Sequence, residues 1–484
     1  MTRSETPSLL SPKYRAPALA LMSAIAMASY NNLSVTAALP DIGDDLGRVA
    51  LLPWVVTVEL LSAAIAVLAV GPYIDGAGAR RAFRLTVVAF SVTSTLCVIA
   101  PTMELLVAAR VAQGLGGGAL IGTSLTCIGL VFEESVRPWA YALMSSVWGI
   151  MGIGGPALAA VLVSTLGWRA VFAVNLPVAV AAAAVGWRRL PVAARAAAEP
   201  LDRRGLLILS GLTVALLLAT ADLDWRSAAL VLVGGALAGL YVYHARRRQT
   251  PVVRLPHISS RRWRHIHMVG VMAVTGGTGA SVFLPLYLKG ARGSSAAFAA
   301  FAVLWPTLGW SVSSWVSGAL QQRFRSETVA LTGAVIITVG AVAVTTAAAA
   351  GAPVTVLLIA FACVGWGIGT ISTSSLALLQ GRAELQEMGR VSSAHHFLRS
   401  LGFAYGAAIA GLVIFWVVDR RTGDAELVRD LLGEAEIVVD AGVAGALASA
   451  YTWALAVMAV FCVLTLPPAM RLYRSYNPER ITRD

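Results

Sequence analysis

The sequence predicts an all-α, polytopic membrane protein with fourteen transmembrane helices. Of its 484 residues, 57% are hydrophobic and only 13% are charged. In soluble proteins, roughly a quarter of the residues are charged. Its mean hydropathy is +0.75. A helix needs about 20 apolar residues to cross a hydrocarbon core of about 30 Å, and most of the chain consists of such runs.

The apolar runs are separated by short breaks that contain charged residues, glycine or proline. We expect each run to form one membrane-spanning helix. The predicted spans are residues 16–39, 51–72, 83–101, 103–131, 138–165, 168–187, 205–221, 227–244, 267–289, 297–320, 328–350, 353–379, 392–418 and 443–468.

The basic residues predict the orientation of the chain. The net charge is +12, and most of the 37 lysines and arginines lie in alternate loops, on the side that holds both termini. Because cytoplasmic loops are enriched in Lys and Arg, this side is predicted to be cytoplasmic. The basic excess therefore indicates a multi-pass topology in the cell (inner) membrane, with the lipid bilayer as its surroundings and no nucleic acid partner.

The sequence lacks the signatures of enzymes and metal sites. Its four cysteines lie inside apolar runs and form no CxxC pair, so neither a disulfide framework nor a thiolate metal site is predicted. Neither a Walker loop nor an HExxH pattern occurs, which argues against ATP as the energy source. We expect no metal, no cofactor and no enzymatic activity.

An internal repeat indicates that the chain contains two related bundles. Residues 114–125 read GLGGGALIGTSL and residues 365–376 read GWGIGTISTSSL, with three glycines, a serine and a leucine matching at one fixed spacing. Transporters are commonly built from such duplicated bundles. The repeat predicts an arrangement of six, two and six helices. The predicted parts are an amino-terminal bundle (1–187), cytoplasmic linkers with two additional spans (188–264) and a carboxy-terminal bundle (265–484).

A charged, glycine-rich turn lies between the second and third predicted spans, in VGPYIDGAGARRAFR at residues 70–84. Glycines let two helices approach closely, and an acid at a helix end can dock against the backbone dipole of a neighbouring helix or against an arginine. We interpret the turn as a conformational gate; an ordinary basic turn is the alternative. The gate residues are Gly71, Asp75, Gly78, Arg80 and Arg81.

These five residues resemble the loop between spans two and three of the major facilitator superfamily. RVAQGLG, from Arg110, is similar to the fourth-span motif of its fourteen-helix drug:proton antiporter branch, and GWRAVFAVNLP (167–177) to the start of that branch's sixth span. The resemblance covers essentially the whole chain. It implies the major facilitator fold and a transporter, and it implies that Arg110 assists proton exchange.

A second candidate gate lies in the fifth predicted span. WGIMGIGGPALAA (148–160) resembles the antiporter motif of this branch through Gly152, Gly155 and Pro156. Small residues thin a helix so that a neighbour can pivot against it, and proline removes one backbone hydrogen bond and eases bending. Close packing without a gating role is the alternative.

Glu59 and Arg110 are the candidate proton-coupling residues. Ionisable side chains inside a span are costly and therefore point to function. Counting 1.5 Å per residue, both lie roughly 10–12 Å from the outer face, so they are able to meet. The branch usually has an acid in its first span, where this chain has Asn31. Our hypothesis is that Glu59 replaces that acid; a structural Glu–Arg pair, or substrate contact without proton coupling, is the alternative.

The remaining polar residues of the spans are candidates for a substrate cavity. They are Asn31, Asn32, Gln113 and Arg399. Alternatively, the two asparagines form hydrogen bonds between helices. The alternative for Arg399 is that its side chain extends to the cytoplasmic surface and does not face the cavity. Tryptophans such as Trp310 either line an aromatic site or pack and anchor the helices.

These observations together predict a proton-coupled antiporter that exports small amphipathic, drug-like compounds by alternating access and works as a monomer. One rival keeps the fold but exports a dedicated metabolite or lipid, or transports without proton coupling. A second rival is a scaffold or sensor that does not transport. The sequence does not identify the substrate.

Overall fold

The computed structural model describes residues 9, 11–48, 51–190, 201–219, 225–423 and 441–475, and within these ranges every regular element is helical. The predicted all-α class is confirmed. The first helices are α1 (Arg15–Ser34), α2 (Leu39–Leu46), α3 (Leu52–Ala77), α4 (Ala79–Val98), α5 (Met103–Val131), α6 (Arg137–Leu166), α7 (Arg169–Ala173), α8 (Asn175–Arg189), α9 (Arg203–Leu218) and α10 (Trp225–Arg247). The others are α11 (Leu255–Ser259), α12 (Arg264–Val282), α13 (Leu284–Leu286), α14 (Ala296–Ala302), α15 (Leu304–Leu320), α16 (Ser326–Ala349), α17 (Val354–Arg382), α18 (Met388–Thr422), α19 (Ala441–Val463) and α20 (Leu466–Arg474).

In the described part of the chain, 11 helices are long and apolar enough to cross a membrane, and the bent helix α6 makes a twelfth. The predicted spans 205–221 and 297–320 coincide with shorter helices. Helix α9 has 16 residues, and 297–320 is divided between α14, with 7 residues, and α15, with 17. At 1.5 Å per residue, α9 covers about 24 Å of a core of about 30 Å. The count of fourteen spans stays a prediction.

The contacts within the chain define two compact units. Unit 1 contains Met1–Thr213, Leu237–Ser260 and Leu379–Phe397. Unit 2 contains Val214–Ala236, Arg261–Leu378 and Leu398–Asp484. The first turns of α18 therefore pack within unit 1. The predicted division at residues 187 and 264 stays a prediction, and residues 191–200 and 220–224 of the predicted linker region lie outside the described residues.

The glycines of the repeat lie at close helix crossings in both units. A Cβ at any of them would press against the backbone of a neighbouring helix. The glycines of α5 face α3 and α4, and the corresponding glycines of α17 face α15 and α16. The close pairs are Gly114 with Glu59, Gly118 with Ala63 and Gly116 with Phe90 in unit 1, and Gly365 with Pro306, Gly369 with Trp310 and Gly367 with Ile337 in unit 2.

We expect Gly118→Ala to destabilise the protein by about 1–3 kcal/mol, because its Cβ would overlap the carbonyl of Ala63 and overpacking forces the backbone to shift. Gly369→Ala should behave alike, since its Cβ would overlap the carbonyl of Trp310. The matched control is Gly239→Ala on α10, where nothing lies within 4 Å of the added methyl group. Thermal unfolding of the purified variants in detergent measures the effect. Equal midpoints for Gly118→Ala and Gly239→Ala would contradict the close crossing.

Candidate functional site

The charged pair that the sequence singles out lies inside unit 1, between α3 and α5. Nη2 of Arg110 lies 3.6 Å from Oε2 of Glu59, and both side chains are only 1% exposed. Gly114, one turn after Arg110 on α5, makes this possible, because a Cβ there would press on the backbone of Glu59. The structure thus places the two residues in contact, as their calculated depths allow.

Asn31 of α1 connects the two charges. Its Nδ2 donates to Oε1 of Glu59 at 3.2 Å, and its Oδ1 accepts from Nη1 of Arg110 at 3.1 Å. Asn31 is 1% exposed, so its amide is used within the interior. The residue at the position of the missing first-span acid therefore contacts both members of the pair.

Asn32 faces the same carboxyl group. In the orientation that pairs donors with acceptors, its amide nitrogen lies 2.7 Å from Oε1 and 3.1 Å from Oε2 of Glu59. Rotation of the amide exchanges its nitrogen and oxygen. The same side chain can therefore offer a donor to a carboxylate or an acceptor to a protonated carboxyl group.

Gln113 extends the network from α5 to α4. Its Oε1 accepts from Nη1 of Arg110 at 2.6 Å and from Sγ of Cys97 at 3.2 Å, and its Nε2 donates to Oγ of Ser94 at 2.8 Å. Nε of Arg110 donates to the carbonyl of Val55 at 2.8 Å. The sequence did not single out Ser94, Cys97 or Val55 as partners, because each bond depends on how neighbouring helices are rotated.

The repeat does not carry this network into unit 2. When the two halves of the repeat are aligned on their glycines, Phe361 aligns with Arg110 and Val364 aligns with Gln113. Phe361 is fully buried and Val364 is 2% exposed. At these two positions the repeat therefore has buried apolar residues in unit 2 in place of the polar ones in unit 1.

The acid of the gate turn docks against the start of α18. Oδ1 of Asp75 accepts from the backbone N–H of Gly389 at 2.7 Å, and Oδ2 accepts from that of Arg390 at 3.1 Å. These two groups belong to the first turn of α18, whose N–H groups have no partner within their own helix. A carboxylate is stabilised there by the positive end of the helix dipole.

Of the other gate residues, Gly71 lies beside this contact. A Cβ at Gly71 would lie 2.7 Å from both the carbonyl oxygen of Gly389 and Oγ of Ser393. Gly78 has a φ of +81° and ends α3, and Nε of Arg80 donates to the carbonyl of Leu190 at 2.6 Å. Arg81 is exposed.

Gln380 is a second polar contact to this region that the sequence did not reveal. Its Oε1 accepts from the hydroxyl of Tyr141, and its Nε2 donates to the carbonyl of Leu125 at 3.0 Å and to Oγ of Ser392 at 3.2 Å. Nη1 of Arg137 donates to its backbone carbonyl at 3.1 Å. In the sequence, this contact is indicated by nothing more than one amide side chain near the end of the apolar helix α17.

His257 lies beside the same segment. Its Nε2 lies 3.1 Å from Oε2 of Glu387, the residue just before α18. Burial lowers the pKa of the His257 imidazole, against the opposing effect of the Glu387 carboxylate. This imidazole therefore favours its neutral form more strongly than an exposed histidine does.

The second candidate gate lies at a bend in α6. The segments Arg137–Gly152 and Gly154–Leu166 meet at 41°. Pro156 lies within the helix, and its missing N–H leaves the carbonyl of Gly152 without its helical partner. A Cβ at Gly155 would lie 2.8 Å from Oγ of Ser34 on α1. The three residues thus accompany a bend and a close crossing.

Arg399 is not part of these clusters and lies in unit 2. Its side chain is 8% exposed, and its Nη2 donates to Oγ of Ser372 at 3.0 Å. The structure therefore brings Asn31, Asn32 and Gln113 together around Glu59 and Arg110 and leaves Arg399 as a separate feature.

Comparison with known proteins identifies the family. The profile of the Major Facilitator Superfamily matches residues 19–407. The chain belongs to this superfamily. Members of this superfamily are multi-pass membrane transporters of small molecules, and the apolar helices of this chain agree with that class.

Two bacterial relatives are similar to this facilitator. The uncharacterized MFS-type transporter Rv1877 of Mycobacterium tuberculosis (strain ATCC 25618 / H37Rv) is 28% identical over 414 residues, which cover 84% of this chain and 60% of the relative. The multidrug transporter protein MdtP of Bacillus subtilis (strain 168) is 25% identical over 401 residues, which cover 81% and 74%. The chain thus spans less than two thirds of the length of the mycobacterial protein.

Solved structures share this fold. The structure of the MFS (major facilitator superfamily) proton:xylose symporter XylE has a TM-score of 0.57 with this chain, at 14% sequence identity, and the match covers 95% of each chain. The crystal structure of a bacterial homologue of the iron transporter ferroportin in an outward-facing state has a TM-score of 0.67 with this chain. The match covers 95% of this chain and 99% of that one, at 11% sequence identity. At so low an identity, the likeness shows the fold alone.

Proposed function

We propose that this protein is a proton-coupled antiporter of the fourteen-helix drug:proton branch, which exports small amphipathic, drug-like compounds by alternating access. The observation that carries the proposal is the fully buried contact between Glu59 and Arg110, with Asn31 and Asn32 on the carboxyl group. A charged side chain within a membrane span costs about 2.5–3.5 kcal/mol. A chain that transports has a functional reason to keep two of them.

The cluster suits a carboxyl group that gains and loses a proton. Arg110 keeps three acceptors that are independent of Glu59, namely the oxygens of Val55, Asn31 and Gln113. Its guanidinium therefore stays in place when the Glu59 carboxylate binds a proton and the ion pair is lost. The amide of Asn32 then turns from donor to acceptor. Each protonation state of Glu59 thus has a satisfied set of hydrogen bonds.

The gate would link proton binding at Glu59 to a change in the side of the membrane to which the substrate site opens. Asp75 and Gln380 tie the ends of α3, α5 and α6 to the segment around the start of α18. We propose that these contacts form in one conformation and break in the other, and that the bend of α6 at Gly152 and Pro156 accommodates the change. Arg80 and Arg81 would hold the turn at the cytoplasmic surface.

The proposal includes a location and a state of assembly. We propose that both termini lie in the cytoplasm and that the chain lies in the inner membrane, and the bias of basic loops supports this orientation. We propose a functional monomer whose partners are a small-molecule substrate, protons and lipid. The Bacillus relative is named a multidrug transporter, which supports amphipathic compounds as the substrate class.

One observation favours a second candidate, which is export of a dedicated metabolite or lipid, or transport without proton coupling. Asn31 stands where the antiporter branch usually has its first-span acid. If Glu59 and Arg110 form a permanent pair, the site has no titrating carboxyl group and substrate alone drives the conformational change.

Proton movement in energised everted vesicles tests the choice. We expect cationic, neutral or lipid-like compounds that are substrates to release protons from the acidic lumen of vesicles that contain the protein, and a pH-gradient dye reports the release. Vesicles without the protein are the control. Measured flux of a compound without proton movement would contradict antiport and support the second candidate.

A further inference from the structure

Arg399 is a buried charge that the proposed transport cycle does not use. It lies on α18, about 17 Å along the helix from Met388 at 1.5 Å per residue. Its side chain is 8% exposed, so the guanidinium does not extend to the surface. Within the described residues no carboxylate forms an ion pair with it, and its Nε has no hydrogen-bond partner there. A buried charge without a counter-charge is strongly unfavourable.

Ser372 is the hydroxyl group that meets this guanidinium. Its Oγ accepts from Nη2 of Arg399 at 3.0 Å. The next two hydroxyls of α17 behave differently, because Thr373 donates to the carbonyl of Gly369 and Ser374 to that of Thr370. Among the described residues Ser372 makes no such bond to its own helix, so its proton is available to an acceptor beside Arg399.

An aromatic pair adjoins the guanidinium. Cζ of Arg399 lies 6.0 Å from the ring centroid of Trp310. The ring of Trp310 is stacked on that of Phe403, with centroids 6.2 Å apart and planes inclined by 8°. Phe403 is 37% exposed, so the stack leads from an accessible ring to the buried charge. Aromatic rings favour this offset arrangement with further planar groups.

We propose that Arg399, Ser372, Trp310 and Phe403 form a binding subsite for aromatic organic anions, in which a planar ring lies on the Trp310–Phe403 stack and a carboxylate or sulfonate group meets Arg399. The inference rests on the proposed export function and adds one chemical class, aromatic anions, to its amphipathic substrates. The planar guanidinium matches the geometry of such anions. A bound anion would accept from Nε of Arg399 and from the hydroxyl of Ser372, and it would supply the missing counter-charge.

Equilibrium binding to the purified full-length protein in phosphatidylcholine nanodiscs tests the subsite by calorimetry. The probes are 2-naphthoate, 2-naphthylmethanol, which has the same ring without the charge, and cyclohexanecarboxylate, which has the charge without the aromatic ring. We expect 2-naphthoate to bind at least about tenfold more tightly than either of the others, which corresponds to about 1.4 kcal/mol. Equal affinities of the three probes, or binding of none, would overturn the proposal.

Variants separate the charge from the ring. We expect Arg399→Gln to reduce the affinity for 2-naphthoate about tenfold and to leave 2-naphthylmethanol unchanged. The matched control is Arg420→Gln, because Arg420 also lies on α18 and over a tryptophan ring, that of Trp416, but is exposed. If Arg399→Gln fails to fold, Phe403→Leu replaces it, and it should weaken 2-naphthoate but not cyclohexanecarboxylate. Unchanged 2-naphthoate binding in the folded variant would overturn the subsite.

Lipid phosphate is the other source of an anion, and the test distinguishes it. In nanodiscs that contain phosphatidylglycerol, a substrate subsite should retain its preference for 2-naphthoate. Loss of the preference in such discs would assign Arg399 to a lipid headgroup and overturn the proposal. The assay uses no pH gradient. A protein that binds 2-naphthoate but moves no protons would therefore contradict the antiport proposal and leave the subsite standing.

Discussion

Substrate-evoked proton movement in everted vesicles is expected to fall to the background level when Glu59 is replaced by Gln. The amide keeps the size of the side chain and its ability to bond to Asn31 and Asn32, but it does not titrate. If Glu59 carries the proton, binding of the compound to the purified variant survives while coupling is lost. The two measurements are the pH-gradient dye signal in vesicles and calorimetric binding in detergent.

A purely structural ion pair predicts a different pattern. Glu59→Gln leaves the guanidinium of Arg110 buried without its counter-charge, and removal of one partner of a buried pair costs about 3–5 kcal/mol. The double variant Glu59→Gln/Arg110→Gln removes both charges and should recover much of that stability. Recovery of the thermal midpoint together with proton movement would show that the pair is structural. Recovery of the midpoint without proton movement supports the Glu59–Arg110 pair as the proton-coupling site, and the single variant Glu59→Gln assigns the carrier.

Glu104→Gln is the matched control for this experiment. Glu104 is also paired with an arginine, Arg48 at 2.5 Å, but its side chain is 46% exposed. Exposed pairs contribute little to stability because solvent screens them, so neither stability nor proton movement should change. A loss of coupling in Glu104→Gln equal to that in Glu59→Gln would show that the assay responds to any lost carboxylate.

The sequence predicts this site because depth in a membrane can be counted. Apolar runs define where each helix enters the bilayer, so the positions of Glu59 and Arg110 along their helices set their depths. Likewise, an acid at the end of a span is predicted to dock at a helix terminus, and Asp75 lies at the first turn of α18. The repeat glycines predict only two related bundles; that they lie at close helix crossings is a finding of the structure.

Contacts that depend on the rotation and pairing of helices are not predictable in this way. The carbonyl of Val55 accepts from Arg110, but a carbonyl has no signature in the sequence. Gln380 bonds to residues more than two hundred positions away, including Tyr141 and Leu125, and no local pattern gives that pairing. The stacking of Phe403 on Trp310 beside Arg399 is of the same kind.

The second large effect is expected from Asp75→Asn, which should open the contact between the gate turn and α18. The amide loses the charge that the start of the helix favours, and only its oxygen can accept from the two N–H groups of Gly389 and Arg390. Charged hydrogen bonds and dipole interactions of this kind contribute about 2 kcal/mol together. We therefore expect the contact to open roughly thirtyfold more often.

The rate of maleimide labelling at a cysteine in place of Ser393 measures this opening. Ser393 is 2% exposed and faces Gly71, so a reagent reaches it only when the contact breaks. Cys363 is exposed and would also react with the reagent, so it is first replaced by serine; the other cysteines, Cys97, Cys127 and Cys462, are buried.

Asp45→Asn is the matched control, because Asp45 also accepts two bonds, from Arg169 and Trp168, at a distant point of unit 1.

The result also decides whether Asp75 or Gln380 holds the gate. Gln380→Leu removes two bonds donated by a neutral amide and one that it accepts, and neutral bonds contribute about 0.5–1.5 kcal/mol each. If Asp75→Asn accelerates labelling about thirtyfold and transport slows, the acid at the helix terminus is the latch. If labelling responds only to Gln380→Leu, the glycine-rich turn is a packed connector, and the gate is the amide that the sequence did not reveal.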